Sequence, residues 1–187
     1  MDGHNLDHAQ YRALLSYLMG LCAVNLGDVN GGKAILRRLI DEPAIPGTAN
    51  PRLAAMATYA GQLGEEDLER GMAMLRYVID TPSESGQFAS PGASAAISLG
   101  ALMRQTGQVD EARIVFEKAI SECEAADRPH PEYLSRLHGN LGNLFYENLE
   151  DYPRAADHYA KAVASFDAGG EGGNAARRFQ VPGLGPT

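Results

Sequence analysis

One pattern occurs four times along this chain of 187 residues, and it limits the folds that the chain can adopt. Each copy has apolar residues at spacings of three and four, then a short turn, then a second stretch with the same spacing. These spacings are typical of two amphipathic helices. A small residue marks the same position in the first stretch of every copy, at Gly20, Ala57, Gly100 and Gly142. Repetition of one helix-turn-helix unit predicts a stack of helix pairs.

A second small residue marks the second stretch of each copy, at Gly32, Gly71, Ala112 and Ala155. Glycine or alanine at both positions lets the paired helices approach closely, and a larger residue would overpack the contact at a cost of roughly 1–3 kcal/mol. Between the two stretches, a glycine such as Gly27 or Gly107 supplies the left-handed residue that ends the first helix. We therefore predict that each pair packs as a tight helical hairpin.

The third copy carries the fullest set of these landmarks, at Leu99, Gly100, Gly107, Ala112, Phe116 and Ala119. The pattern resembles the tetratricopeptide repeat, and the Asn-Leu-Gly-Asn run at 140–143 and the segment 151–156 look very like sequences of that family. The resemblance implies an all-α fold, an α-solenoid of about four helix pairs in a right-handed superhelix. Another antiparallel helical bundle is the alternative.

The repeats are longer than usual, since the small residues of the second stretches lie 39, 41 and 43 positions apart, against about 34 in most tetratricopeptide repeats. This spacing is similar to that of kinesin light chains and spindle-orientation adaptors. We expect an N-terminal extension at 1–10, a repeat domain at 11–168 and a flexible Gly/Pro-rich tail at 169–187. The expected repeats are about 11–46, 49–83, 90–126 and 130–168.

The tail offers no full-length capping helix, which a solenoid needs at its open end. The last apolar face, near Val163 and Phe166, would then be covered by the tail, by a partner or by a second copy of the chain. A homo-oligomer formed through this uncapped end is one expectation that follows.

Charge excludes some partners. The net charge is −8, and residues 1–90 carry 7 basic and 11 acidic groups against 9 and 13 in residues 91–187. Neither half is basic, so we expect no binding to nucleic acid, which needs clustered cations.

The sequence has no run of about 18 apolar residues, so it predicts no membrane span. Cys22 and Cys123 fall inside helical patterns, where buried thiols are expected rather than a disulfide, and this weakly favours a reducing, cytoplasmic compartment.

Catalytic and metal-binding motifs are absent from the sequence, so we expect no enzyme, no cofactor and no metal site. His4 and His8, with Asp7 between them, have a spacing that could hold a metal ion but lie at the chain terminus. His138 occupies the position of a tryptophan of the family and is expected to pack between helices, whereas His158 is expected to face solvent. An enzymatic activity would have to use four polar residues near one another in the sequence, but no reaction can be assigned to them: Arg136, His138, Tyr146 and Glu147.

The resemblance places the first helices on the concave surface of the solenoid, where partners bind. The register assigns nine side chains to that groove: Tyr17, Leu21, Thr58, Ala101, Arg104, Arg136, Asn140, Asn143 and Glu147. Asparagine both donates to and accepts from a peptide backbone, and arginine holds a carboxylate with two hydrogen bonds. In long-repeat adaptors, groove asparagines hold extended peptides, a role that the resemblance carries over to Asn140 and Asn143 alone.

The function expected from these features is that of a non-catalytic adaptor that binds a protein or peptide segment in the groove. Two alternatives remain open at this point. One is a self-associating structural module, which the missing capping helix favours. The other is a regulatory subunit that senses a peptide or small ligand and acts through a separate effector.

Overall fold

The computed structural model describes residues 3–43, 45, 47–63, 67–81, 90–126 and 130–172. These residues form eight helices and no strand: α1 (Gly3–Asn25), α2 (Val29–Asp41), α3 (Ala49–Ala60), α4 (Leu68–Asp80), α5 (Ser90–Gln105), α6 (Val109–Glu124), α7 (Pro131–Glu147) and α8 (Tyr152–Gly172). Residues 3–10, expected as an extension, belong to α1, and α8 continues past position 168. The remainder of the expected tail, 173–187, lies outside the described residues.

Consecutive helices pack as four hairpins that stack in chain order, each second helix contacting the first helix of the next pair. The first helices also contact one another, α1 with α3, α3 with α5 and α5 with α7. Among the described residues the second helices of neighbouring pairs make no such contacts. First helices therefore lie closer together than second helices, so the stack curves with its first helices on the concave side.

Short turns close the hairpins by the expected chemistry. Gly27 and Gly107 have φ of +91° and +80°, the left-handed region in which a glycine costs least. The carboxylate of Asp28 then caps α2, accepting a hydrogen bond from the backbone N–H of Gly31 at 2.9 Å. In the fourth hairpin the left-handed residue is Glu150, at φ +52°, so a glycine is not required there.

Close packing within the hairpins explains the recurrent small residues. A Cβ atom added at Gly100 would lie 2.4 Å from a ring carbon of Phe116, and one added at Gly142 would lie 2.8 Å from the ring of Tyr159. Gly20 has the same relation to Leu36, at 2.7 Å. Each of these three glycines of a first helix thus lies directly beneath a large side chain of the second helix in the same hairpin.

The apolar interior follows this stacked arrangement. A small buried cluster joins α1, α2 and α3 around Leu36 and Leu39, and a larger one runs from α3 to α8. Phe116 lies within the larger cluster with 0% of its surface exposed. Burial is therefore distributed along the stack, as expected of a solenoid.

The two cysteines have different environments. Both are free, as expected, and Cys123 is buried on α6. Burial raises the pKa of the Cys123 thiol to about 11. Cys22 is exposed on α1, so the expectation that it is buried was wrong. Its helical spacing placed it correctly in a helix, but on the side that faces away from the core.

Of the helices that the structure describes, none combines the length and apolar character needed to cross a membrane.

Candidate functional site

The concave surface at the C-terminal end of the stack brings together five of the nine predicted groove residues. Arg104 of α5 and Glu147 of α7 form an ion pair across the two helices. Arg136, Asn140 and Asn143 follow along α7, where Arg136 is exposed and both asparagines are half-buried. These side chains are polar, reachable from solvent and carried by two adjacent helices.

The other predicted groove residues lie nearer the N-terminal end, where the surface is less polar. Thr58 and Ala101 are half-buried on α3 and α5. Tyr17 and Leu21 are half-buried on α1, and Tyr17 packs against the small buried cluster. All nine predicted residues therefore keep some contact with solvent, and a polar end and an apolar end follow the direction of the stack.

Arg104 is the most enclosed cation of this surface, with 19% of its side chain exposed. Its Nη1 donates to Glu147 Oε2, but no acceptor among the described residues meets its buried Nε–H. Because a buried N–H without a partner costs free energy, a rearrangement that lets Nε donate a hydrogen bond to a carboxylate or carbonyl oxygen would be favourable. Glu147 is about half exposed, so it can be displaced at little cost.

The two asparagines are each half-satisfied. Asn140 Nδ2 donates to the backbone oxygen of Arg136 at 2.8 Å, and its carbonyl oxygen has no partner among the described residues. Asn143 Oδ1 accepts from the hydroxyl of Tyr159 at 2.8 Å, which leaves its amide group to donate. One acceptor and one donor thus stand three residues apart on α7, the pair of functions that a peptide unit requires.

Tyr159 was missed as a site residue because its position predicts only helix packing. Its ring does lie over Gly142, but its hydroxyl extends beyond the glycine and orients Asn143. Burial, followed by the charge of Glu147, raises the pKa of Tyr159, so the hydroxyl remains a donor. The signal in the sequence is the tyrosine itself, because phenylalanine stands at the matching position of the third hairpin, at Phe116.

A histidine pair joins α7 to α8 beside this surface. His138 is buried, as expected, and its Nδ1 lies 3.1 Å from Nδ1 of His158. His158 does not face solvent as expected, since its ring stacks on Phe145 with centroids 5.4 Å apart. The guanidinium of Arg154 also lies over the ring of Phe145, 4.9 Å from its centroid. This stack explains why His158 is half-buried on α8, where the sequence predicted exposure.

The short distance between the rings requires one imidazole to donate from Nδ1 and the other to accept, so both cannot be protonated. Burial lowers the pKa of His138 and of His158 from the ordinary value of 6.5. The nearby charge of Lys161 lowers both values further, whereas the carboxylates of Asp157 and, for His138, Glu124 oppose the shift.

This pair predicts a loss of stability in mild acid. The histidines of the unfolded chain take up protons near pH 6.5, whereas the folded pair resists protonation. The free energy of unfolding is therefore highest above that pH and decreases below it. Urea unfolding should show little change between about pH 8 and about pH 7, and a decline by about pH 5.5. A His138→Leu variant should decline less steeply; an unchanged slope in that variant would show that the pair does not titrate as described.

The outer side of the stack carries a separate cavity of about 220 Å³ between α4 and α6. Its floor is apolar and comes from α5, through Ala96, Leu99 and Met103. Charged side chains surround it, among them the ion pair between Lys118 and Glu122. No sequence motif predicted this cavity, because it results from the separation of the second helices.

Side chains that could bind a metal ion are dispersed in the part of the chain that the structure describes. No three His, Cys, Asp or Glu side chains there are close enough to share a metal ion. The side chains of His4 and Asp7 lie outside the described residues. His138 contacts α8 and Glu147 contacts α5, nine residues apart on one helix, or about 13 Å, so the two do not share a site.

The fold and the concave surface together define an α-helical repeat protein. Family models for the tetratricopeptide repeat match residues 93–168 and residues 14–43, together more than half of the chain. The chain belongs to the tetratricopeptide repeat family, whose members generally mediate interactions between proteins.

A solved structure shares the fold. The crystal structure of BtubC (BKLC) from P. vanneervenii superposes with a TM-score of 0.66 at 18% sequence identity, over 94% of this chain and 70% of that one. At this identity the likeness concerns the fold alone. Comparison with curated protein sequences gives no significant match.

Proposed function

We propose that the chain is a non-catalytic adaptor that binds a segment of another protein, in extended conformation, along the concave surface of the first helices. The observation that carries the proposal is the half-satisfied pair of asparagines on α7. Asn140 offers an acceptor and Asn143 offers a donor, so together they can hold one peptide unit of a guest. Because the chain belongs to a family whose members generally mediate interactions between proteins, we infer that the partner is a protein.

The cations near the asparagines suggest the chemistry of the guest. Arg136 is exposed, and the Nε–H of Arg104 has no acceptor among the described residues. A carboxylate of the guest could replace Glu147 as the partner of the Arg104 Nη1. A segment with an acidic side chain beside its backbone contact with α7 is therefore the favoured guest.

Two further features bear on the compartment and on the class of partner. Cys22 is a free, exposed thiol, a state that persists in a reducing compartment. The net charge of −8 disfavours nucleic acid as the partner. We infer a protein partner in the cytoplasm.

A triple variant tests the proposal. Arg136→Ala/Asn140→Ala/Asn143→Ala should weaken partner binding at least about tenfold, since it removes both functions that face a peptide unit and the exposed cation. Partners captured by the wild-type chain from its own cells would be identified by mass spectrometry, and their affinities for both chains measured by calorimetry.

The matched control carries three substitutions on the outer helices, Arg70→Ala/Glu111→Ala/Ser121→Ala, at exposed positions of α4 and α6. It should bind as the wild type does. Circular dichroism of both variants verifies that each is folded. Equal affinities of the wild type and the groove variant for every captured partner would refute the groove assignment.

A further inference from the structure

Helix α1 exposes an apolar face that the sequence reasoning did not single out. Seven side chains form this face, which we call the α1 face, six on α1 and Leu26 in the turn that follows it: Tyr11, Leu14, Leu15, Leu18, Met19, Cys22 and Leu26. Six of them have exposed fractions between 41% and 87%, and Cys22 is exposed as well. Large apolar side chains so strongly exposed along one helix mark an interaction surface.

Helical spacing sets this face opposite the packed side of the same helix. Ala13 and Gly20 are buried against α2 and α3, and the residues of the α1 face follow at three- and four-residue steps half a turn away. No residue from 13 to 27 is charged. A helix that is apolar on all sides is typical of a buried helix, yet α1 is packed on one side only.

We propose that a second copy of this chain covers the α1 face, with α1 packed on the α1 of its partner about a two-fold axis. This inference is independent of the proposed function. The exposed part of these side chains amounts to about 700 Å² per copy, close to the roughly 800 Å² per partner that a stable interface buries.

A two-fold pairing fits the chemistry of the face. In such a pairing each residue meets the same surface of the other copy, so any charge would meet its like. The α1 face carries none from position 13 onward and therefore pairs with itself without repulsion. Leu18 and Met19 lie at its middle, so bulky apolar side chains would fill the centre of the interface.

The other end of the stack is the competing surface. On α8 the side chains of Tyr152, Val163 and Phe166 are 56%, 61% and 64% exposed, so α8 of one copy could pack on α1 of the next. That arrangement does not close and would build a chain of growing length, whereas the α1 pairing stops at two copies.

Analytical ultracentrifugation over a range of concentrations decides between these states. The wild type should sediment as a dimer at micromolar concentration, and Leu15→Glu should raise the dissociation constant at least about tenfold, since it brings carboxylates into an apolar contact. Ala160→Glu, on the exposed side of α8, and Tyr77→Glu, on α4, are the matched controls and should leave the dimer intact. A wild type that is monomeric throughout, or oligomers that keep growing and dissociate with Ala160→Glu, would overturn the proposal.

Cys22 provides a second readout, because it belongs to the α1 face while Cys123 is buried. A short bismaleimide should link two copies of the wild type and should fail to link Cys22→Ser or Leu15→Glu. A linked product of equal yield in Leu15→Glu would contradict the α1 interface. The Leu15→Glu monomer should still bind the groove partner, and the groove variant should still dimerise, so failure of one proposal is distinguishable from failure of the other.

Discussion

Phe116→Ala should lower the free energy of unfolding by about 3–5 kcal/mol, the usual cost of removing a buried aromatic ring. The ring is completely buried and lies over Gly100 in the larger apolar cluster. Because the third hairpin is in the middle of the stack, the cavity would weaken its contacts with both neighbours. Urea unfolding followed by circular dichroism measures the difference.

Phe166→Ala is the matched control for that substitution. It makes the same chemical change on α8, where the ring is 64% exposed, and should alter the free energy of unfolding by no more than about 0.5 kcal/mol. Similar losses in the two variants would mean that Phe116 is not the central packing residue that the structure indicates.

Gly100→Ala should destabilise the chain by about 1–3 kcal/mol, although alanine is the better helix former. The new methyl group would lie 2.4 Å from the ring of Phe116, and the ring has no solvent-exposed side toward which it could move. Gly142→Ala should cost less, because Tyr159 is 37% exposed and its ring can shift outward.

The control for Gly100→Ala is the same substitution at Gly139, also inside a helix. No atom lies within 4 Å of a Cβ built there, so alanine should stabilise the chain by about 0.5–1 kcal/mol through its helix propensity alone. If alanine lowers the free energy of unfolding at Gly100 and raises it at Gly139, then Gly100 is required for packing and not for its backbone conformation. Stabilisation at both positions would contradict the close approach of α5 and α6.

The repeat pattern was sufficient to predict the fold, because one rule applied at four places. Small residues at matching positions require close helix pairs, and the structure places a large side chain over Gly20, Gly100 and Gly142 as that rule demands. The turn glycines, Gly27 and Gly107, likewise have the left-handed backbone that their positions implied. Local chemistry and spacing were enough in these cases.

Contacts between different repeats could not be predicted in the same way. The ion pair of Arg104 with Glu147 joins residues 43 positions apart, and its formation depends on how α5 crosses α7. His158 was expected to face solvent because its helical position allowed it, but the adjacent ring of Phe145 covers it. Cys22 was expected in the core because it is apolar, yet α1 has neighbours on one side only. In each case the missing information was the relative placement of helices.

The sequence predicted which residues lie at the polar end of the concave surface, but not the hydrogen bonds between them. Asn140 and Asn143 were identified from one short motif, whereas the hydroxyl of Tyr159, which fixes the orientation of Asn143, belongs to the next helix. That hydrogen bond determines which function of Asn143 remains for a guest. The role of the site as a binding surface stays a proposal that experiments on the whole chain can test.

Photo-crosslinking in the cell tests the central claim most directly. A photoreactive phenylalanine analogue would replace Ala101, which is half-buried on the first helix of the third hairpin, or Tyr77, which is 57% exposed on the second helix of the second hairpin. We expect the probe at position 101 to capture a partner protein and the probe at position 77 to capture none. Capture of the same partner from position 77, with none from position 101, would contradict the assignment of the concave surface as the binding site.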